Sequence, residues 1–104
     1  MDEVLEQVQR WVAAGKMVAI ATVIATERSA PRDPGAALAV NEDGEVVGSV
    51  SSGCVEASVV TEAMEVLKSR IPKRLSFGIA EDEAFSVGLT CGGTIHLFIE
   101  TVSW

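Results

Sequence analysis

Ten residues, Met17 to Thr26, read M-V-A-I-A-T-V-I-A-T, an almost unbroken apolar run rich in β-branched side chains. A strand buried on one face alternates in polarity, whereas one covered on both faces does not, so this run is expected to be a central strand with a layer on each side. It is too short to cross a bilayer. Ahead of it, Val4, Leu5, Val8, Trp11 and Val12 fall on one face of a helix that Asp2 can cap and Gly15 can stop. Further on, Val55, Val59, Ala63, Val66 and Leu67 recur at helical spacing. Pro72 bounds that pattern, predicting a second helix from Cys54 to about Arg70, ~25 Å long at 1.5 Å per residue. Further strands are expected over Ala36 to Val40, Glu45 to Val50, Lys73 to Phe77 and Thr94 to Val102. In the last of these, Ile95, Leu97 and Ile99 alternate with Thr94, His96, Phe98 and Glu100. The expected fold class is therefore α+β, a single compact domain over residues 1–104 with a mixed β-sheet and two main covering helices.

The chain has 104 residues, 48% of them hydrophobic, enough for one core that buries about 65% of the unfolded surface. Its formal net charge is -7, with a pI near 4.5, which opposes attraction to nucleic acid or to anionic membranes. An anionic ligand would have to be held by local donors. The chain opens on Asp2-Glu3 rather than a basic region followed by an apolar one, so a cytoplasmic location is expected. In that compartment Cys54 and Cys91 are expected to be reduced. Two cysteines and the single His96 do not make a four-ligand zinc site, and no metal is expected.

Ser49 to Glu56, S-V-S-S-G-C-V-E, is the expected functional centre, because an apolar run ends there in small residues and a cysteine opens a helical pattern. Ser52 or Gly53 is the expected N-cap. Glu56 either reaches back in a capping box or sits at the positive end of the helix dipole. Backbone N–H groups at such a turn attract anions and favour a thiolate, making Cys54 a candidate ligand and nucleophile; the alternative is a small core residue. Gly48 and Gly53 have the spacing of a phosphate-binding loop, but Cys54 stands where that loop carries its lysine and Val55 where it carries Ser or Thr, which disfavours nucleotide hydrolysis. A cysteine hydrolase would need a positioned base, and His96 is the one histidine available, read here as half-buried and hydrogen-bonded.

Two further loops carry chemistry. Glu27 to Gly35, E-R-S-A-P-R-D-P-G, must turn and expose polar groups, and its Arg28 and Arg32 either clamp a phosphate or carboxylate or pair with Glu27 and Asp33. Cys91-Gly92-Gly93 precedes the last strand, and its glycines permit positive φ or close approach of backbone to a ligand. The acidic cluster Glu81-Asp82-Glu83 reads as a solvated loop or helix start. Asn41-Glu42-Asp43-Gly44 fits a four-residue hairpin loop. That hairpin links the arginine loop to the cysteine turn. If Arg32, Cys54 and Cys91 build one site, the strands must bring their loops to one end of the sheet.

Three motifs in order, P-R-D-P-G-A at Pro31 to Ala36, S-G-C-V-E at Ser52 to Glu56 and G-L-T-C-G-G at Gly88 to Gly93, resemble the N-terminal domain of the XdhC/CoxI accessory proteins. The resemblance implies a role in maturing molybdenum hydroxylases of the xanthine dehydrogenase or carbon monoxide dehydrogenase type. It implies molybdenum cofactor (molybdopterin) as bound cargo, and binding and insertion more than turnover. Arg32, Gly35, Ser52, Gly53, Cys54, Glu56, Cys91, Gly92 and Gly93 are then the expected cofactor-binding residues. The phosphate suits the Gly53 amides and Arg32, while Cys54 and Cys91 face molybdenum or sulfur. Expected partners are an apo molybdenum hydroxylase, a cysteine desulfurase or a separate Rossmann-domain chain, and a second copy in a homodimer. Many such proteins add a Rossmann-like C-terminal domain, which is not expected within these 104 residues. A persulfide carrier or sulfurtransferase working through Cys54 or Cys91 is the alternative reading.

Overall fold

In a computed structural model, which describes residues 2–27, 35–50, 55–78 and 94–102, the first helix, α1, spans Asp2–Ala13. Its Val4, Val8 and Trp11 are buried, and Val12 packs beside them, as the helical spacing requires. Gly15, with φ 82°, ends it. The Gly15 N–H donates to the Val12 carbonyl at 3.0 Å and the Lys16 N–H to the Trp11 carbonyl at 2.9 Å, so two of the last carbonyls are satisfied in a Schellman turn.

The apolar run becomes β1, Val18–Glu27. It is the middle strand of a five-stranded sheet ordered β3-β2-β1-β5-β4, with β2 at Ala37–Asn41, β3 at Val46–Gly48, β4 at Lys73–Gly78 and β5 at Thr94–Thr101. Because successive side chains of a strand point to opposite faces, β1 feeds two cores. Val18 and Ile20 join Val4, Val8, Trp11, Ala37 and Ala39 under α1. Ala19, Ala21 and Val23 join Leu38, Val40, Leu97 and Ile99 on the opposite face. There they meet Val59, Ala63, Val66 and Leu67 of α2, Glu56–Ser69. The unbroken apolarity is thus accounted for by a helix on each face. The α+β expectation holds, with one correction. The sheet expected to be mixed has only antiparallel pairings among the described strands, because α2 carries the chain from the β3 edge across to the β4 edge and β5 then returns between β4 and β1.

Two element boundaries differ from the sequence reading for local reasons. The strand expected to reach Val50 stops at Gly48, whose φ of 91° leaves the extended region. The second helix begins at Glu56 and not at Cys54, with Val55 as its N-cap in place of Ser52 or Gly53, while its other end is capped by Arg70 in the left-handed conformation, where the end was expected.

At one end of the sheet, the hairpin between β2 and β3 is held by the fully buried Asn41. Its Oδ1 accepts from the Asp43 N–H at 2.9 Å and the Glu45 N–H at 3.0 Å, and its Nδ2 donates to Glu45 Oε1 at 2.8 Å. Every polar atom of that amide is used, which is what burial of an asparagine demands. Also at this end, Lys73 Nζ on β4 meets Glu62 Oε1 at 2.9 Å and Glu65 Oε2 at 2.5 Å, tying α2 to the edge strand.

The hydrogen bonds to Glu65 and then Glu62 raise the pKa of Lys73, and the bond from Lys73 lowers that of Glu65. The lysine contribution is complete below its ordinary 10.5 and is lost as pH rises through the raised folded value. The glutamate contribution is complete above its ordinary 4.5 and is lost as pH falls through the depressed one. Lys73→Met is therefore expected to melt slightly below the parent between those limits and to converge on it in acid. Thermal melts at a series of pH values check this, and a gap that persists in acid would assign the effect to packing of the lysine stem.

Candidate functional site at the loop end of the sheet

Strand direction decides where the motifs attach. Since β1 is antiparallel to β2 and β5, β2 to β3 and β5 to β4, strands β1, β3 and β4 run one way and β2 and β5 the other. The far ends of β1, β3 and β4 and the near ends of β2 and β5 therefore gather at one end of the sheet. From that end the chain departs into 28–34, which holds Arg32, into 49–55, which holds Ser52, Gly53 and Cys54, and into 79–93, which holds Cys91, Gly92 and Gly93. The hairpin and the Lys73 cluster lie at the other end. These seven residues themselves, with Arg28 and the Glu81-Asp82-Glu83 cluster, lie outside the described residues.

The rim at the loop end is stepped. Glu27, Thr94 and Gly78 stand level across β1, β5 and β4, while β2 last pairs with β1 at Ala37 opposite Thr22. Backbone bonds between Val23 and residues 35 and 36, each 2.8 Å, continue the contact briefly. Above them a β-bulge interrupts β1. Val23 pairs with Leu97 and Ala25 with His96, so Ile24 is the extra residue and is left 46% exposed. Bulges twist and bend a strand and re-aim its side chains, and they recur beside functional sites.

Two of the nominated residues fall within the described part. Gly35 stands where the arginine loop rejoins the sheet, with φ 97° and nothing within 4 Å of where a Cβ would be. Its backbone conformation, and not lack of room, calls for glycine. Glu56 is half-buried in the first turn of α2, where its negative charge suits the helix dipole. The capping box considered for it would need it at the third helical position. With Val55 as N-cap, Glu56 is the first helical residue, not the third, and no side chain caps the helix. Its Oε2 instead accepts from Ser49 Oγ at 2.8 Å and from the Val50 N–H at 2.9 Å. Sequence reasoning did not find this link, although a serine seven residues before a glutamate, across a Ser/Gly turn, was its visible trace.

His96 is half-buried on β5, with Ser76 Oγ 2.6 Å from its Nδ1, matching the hydrogen-bonded histidine expected. It shares a sheet face with Ala25 of β1 and Ser76 of β4, its cross-strand neighbours. Among the described residues no group of three or more His, Cys, Asp or Glu side chains is placed to hold a metal ion. No described helix is long and apolar enough to cross a membrane.

Residues 11–78 match the XdhC and CoxI family. The chain belongs to that family. It is 37% identical over 84 residues to the molybdenum cofactor insertion chaperone PaoD of Escherichia coli (strain K12), covering 81% of this chain and 26% of PaoD. It is 35% identical over 81 residues to the uncharacterized protein YqeB of the same organism, covering 78% of this chain and 15% of YqeB. A crystal structure described as a xanthine dehydrogenase from Bacillus halodurans superimposes with a TM-score of 0.79 at 29% identity, over 94% of this chain and 30% of that one. This XdhC and CoxI chain thus spans under a third of the length of each of these relatives.

Proposed function

We propose that this XdhC and CoxI family chain binds molybdenum cofactor at the loop end of its sheet and passes it to an apo molybdenum hydroxylase of the xanthine dehydrogenase or carbon monoxide dehydrogenase type. The observation that carries this reading is the gathering of strand ends. The three segments bearing the family motifs all leave the sheet at one end, and a relative 37% identical is a chaperone that inserts this cofactor. The residues carried by those segments suit the cargo. A guanidinium at Arg32 and amides around Ser52 and Gly53 match a phosphate. Thiols at Cys54 and Cys91 match molybdenum or the sulfur it carries. Gly35, Gly92 and Gly93 let backbone approach a flat ligand closely. In a chain of net charge -7, these donors supply the local positive potential that an anionic cofactor needs.

The test is retention. The purified protein is incubated with molybdenum cofactor released from a donor enzyme, passed through gel filtration and assayed for pterin fluorescence after oxidation. Pterin is expected to co-elute with the protein and to be released when an apo molybdenum hydroxylase is added. Failure to retain any molybdopterin form removes the reading.

A further inference from the structure

The end of the sheet away from the loops carries opposite charge on its two edges. The hairpin between β2 and β3 closes one edge there, and residues 68–74 lead from α2 into β4 at the other. Residues 42–46 of the hairpin are all exposed. Lys16 pairs with Asp43, whereas Glu42 and Glu45 accept from uncharged donors, the Met17 N–H at 2.7 Å and Asn41 Nδ2 at 2.8 Å, so this edge is net negative. The other edge reads K-S-R-I-P-K-R and holds four of the chain's eight basic residues. Lys73 pairs with Glu62 and Glu65. Lys68, Arg70 and Arg74 are exposed and outside any ion pair among the described residues, which leaves this edge net positive.

Each patch has an exposed aliphatic side chain within it. Val46 follows the acidic hairpin and is 43% exposed, while Ile71 stands between Arg70 and Pro72 and is 65% exposed. Among the described residues only Ile24, at the loop end, is a further large hydrophobic left exposed. Its own turn holds Ile71 outward. Arg70 caps α2 with φ 63°, in the left-handed region that glycine usually fills, and its N–H donates to the Val66 carbonyl at 2.8 Å. The Ile71 N–H donates to Ser69 Oγ at 3.1 Å. The dipole of α2 accounts for cations at its C-terminus but not for an isoleucine set among them.

We propose that this end of the sheet is an interface with a second copy of the chain, in which Lys68, Arg70 and Ile71 of one copy face Glu42, Glu45 and Val46 of the other. A two-fold axis along the sheet normal, placed just beyond this end, exchanges the β3 and β4 edges. Both contacts then form at once and the pair closes on itself. Two chains of net charge -7 repel in most orientations, and this one sets cations against carboxylates with an aliphatic pair between them. The two loop ends point away from each other, so the pairing stands apart from whatever they bind.

Sedimentation equilibrium of the full chain, over a series of concentrations, tests the pairing with Ile71→Asp and Val46→Lys as variants. The wild type is expected to form a reversible dimer at low salt that weakens as salt rises. Each variant alone is expected to raise the dissociation constant by about tenfold or more. An equal mixture of the two is expected to return close to the wild-type value, because the new carboxylate of one chain meets the new ammonium of the other while their second contact is untouched. That rescue is specific to these two patches facing each other. A wild type that stays monomeric at every concentration overturns the proposal. So does a dimer that neither salt nor the variants weaken, or a mixture that associates no better than each variant alone. Species that grow beyond two chains would make the contact head-to-tail and overturn the two-fold arrangement. Both side chains are exposed, so melting temperatures within roughly 2 °C of wild type are expected. Should either variant lose more than that, Lys68→Glu decides in its place, by the same weakening or by its absence.

Discussion

Gly48→Ala is expected to lower the melting temperature by roughly 12 °C, from about 3 kcal/mol of destabilisation at about 4 °C per kcal/mol for a domain near this size. Two costs combine. The backbone at Gly48 has φ 91°, where a side chain adds roughly 1 kcal/mol. A Cβ there would also lie 2.3 Å from the Ala37 carbonyl oxygen and 2.7 Å from Val4 Cγ2. Neither neighbour can step aside easily. The Ala37 oxygen accepts the Ser49 N–H at 3.1 Å, and Val4 is held in the core between α1 and the sheet. Relieving the overlap means separating β3 from β2 or lifting α1, which carries an overpacking cost on the order of 2 kcal/mol. Gly44→Ala is the control, since Gly44 has φ 83° but nothing within 4 Å of a Cβ, and it should lose only the backbone part. Equal melting temperatures for the two variants, measured by circular dichroism, would show that the close approach at Gly48 costs nothing.

That glycine also marks a limit on what the sequence disclosed. Glu45 to Val50 reads as a strand because valines dominate it, and nothing in a list of residues says that Gly48 takes positive φ under α1. The strand therefore ends early, and Val50 goes to the core from outside the sheet. By contrast β1 was legible because its chemistry is redundant. Ten residues with little polarity can be satisfied in a domain this small only by cover on both faces, and the two helices supplying it announce themselves by spacing. β5 was legible for the opposite reason, since Ile95, Leu97 and Ile99 alternate cleanly and all three are buried.

What could not be read is what depends on partners far away in the chain. The bulge at Ile24 has no residue signature, because Val23, Ile24 and Ala25 are all apolar and only the pairing with β5 reveals the extra residue. The insertion of β5 between β4 and β1, which leaves every pairing among the described strands antiparallel, is likewise a non-local choice. For the candidate site, the sequence named motif-bearing loops and required them to meet at one end. The described strands supply the attachment points for that requirement, while Arg32, Cys54 and Cys91 themselves lie outside the described residues.

Cys54→Ser and Cys91→Ser are each expected to lower retention of molybdenum cofactor by at least about tenfold, with melting temperatures within roughly 2 °C of wild type. The exchange of sulfur for oxygen is nearly isosteric, so it leaves packing almost intact while replacing a soft ligand that ionises readily with a hard hydroxyl that does not. Cys54 directly precedes the Val55 N-cap of α2, and Cys91 lies three residues before Thr94, which pairs with both Glu27 and Gly78 at the rim. Two thiols attached at the same end of one sheet can serve one ligand, and the double variant tests whether they do. If both touch the same cofactor, removing the second thiol after the first should cost little more, because the shared interaction has already been lost. Independent contributions would add in free energy and multiply in retention. Should both single variants instead fail to fold, with whatever remains folded retaining cofactor as the wild type does, the cysteines are core residues and the joint site is lost.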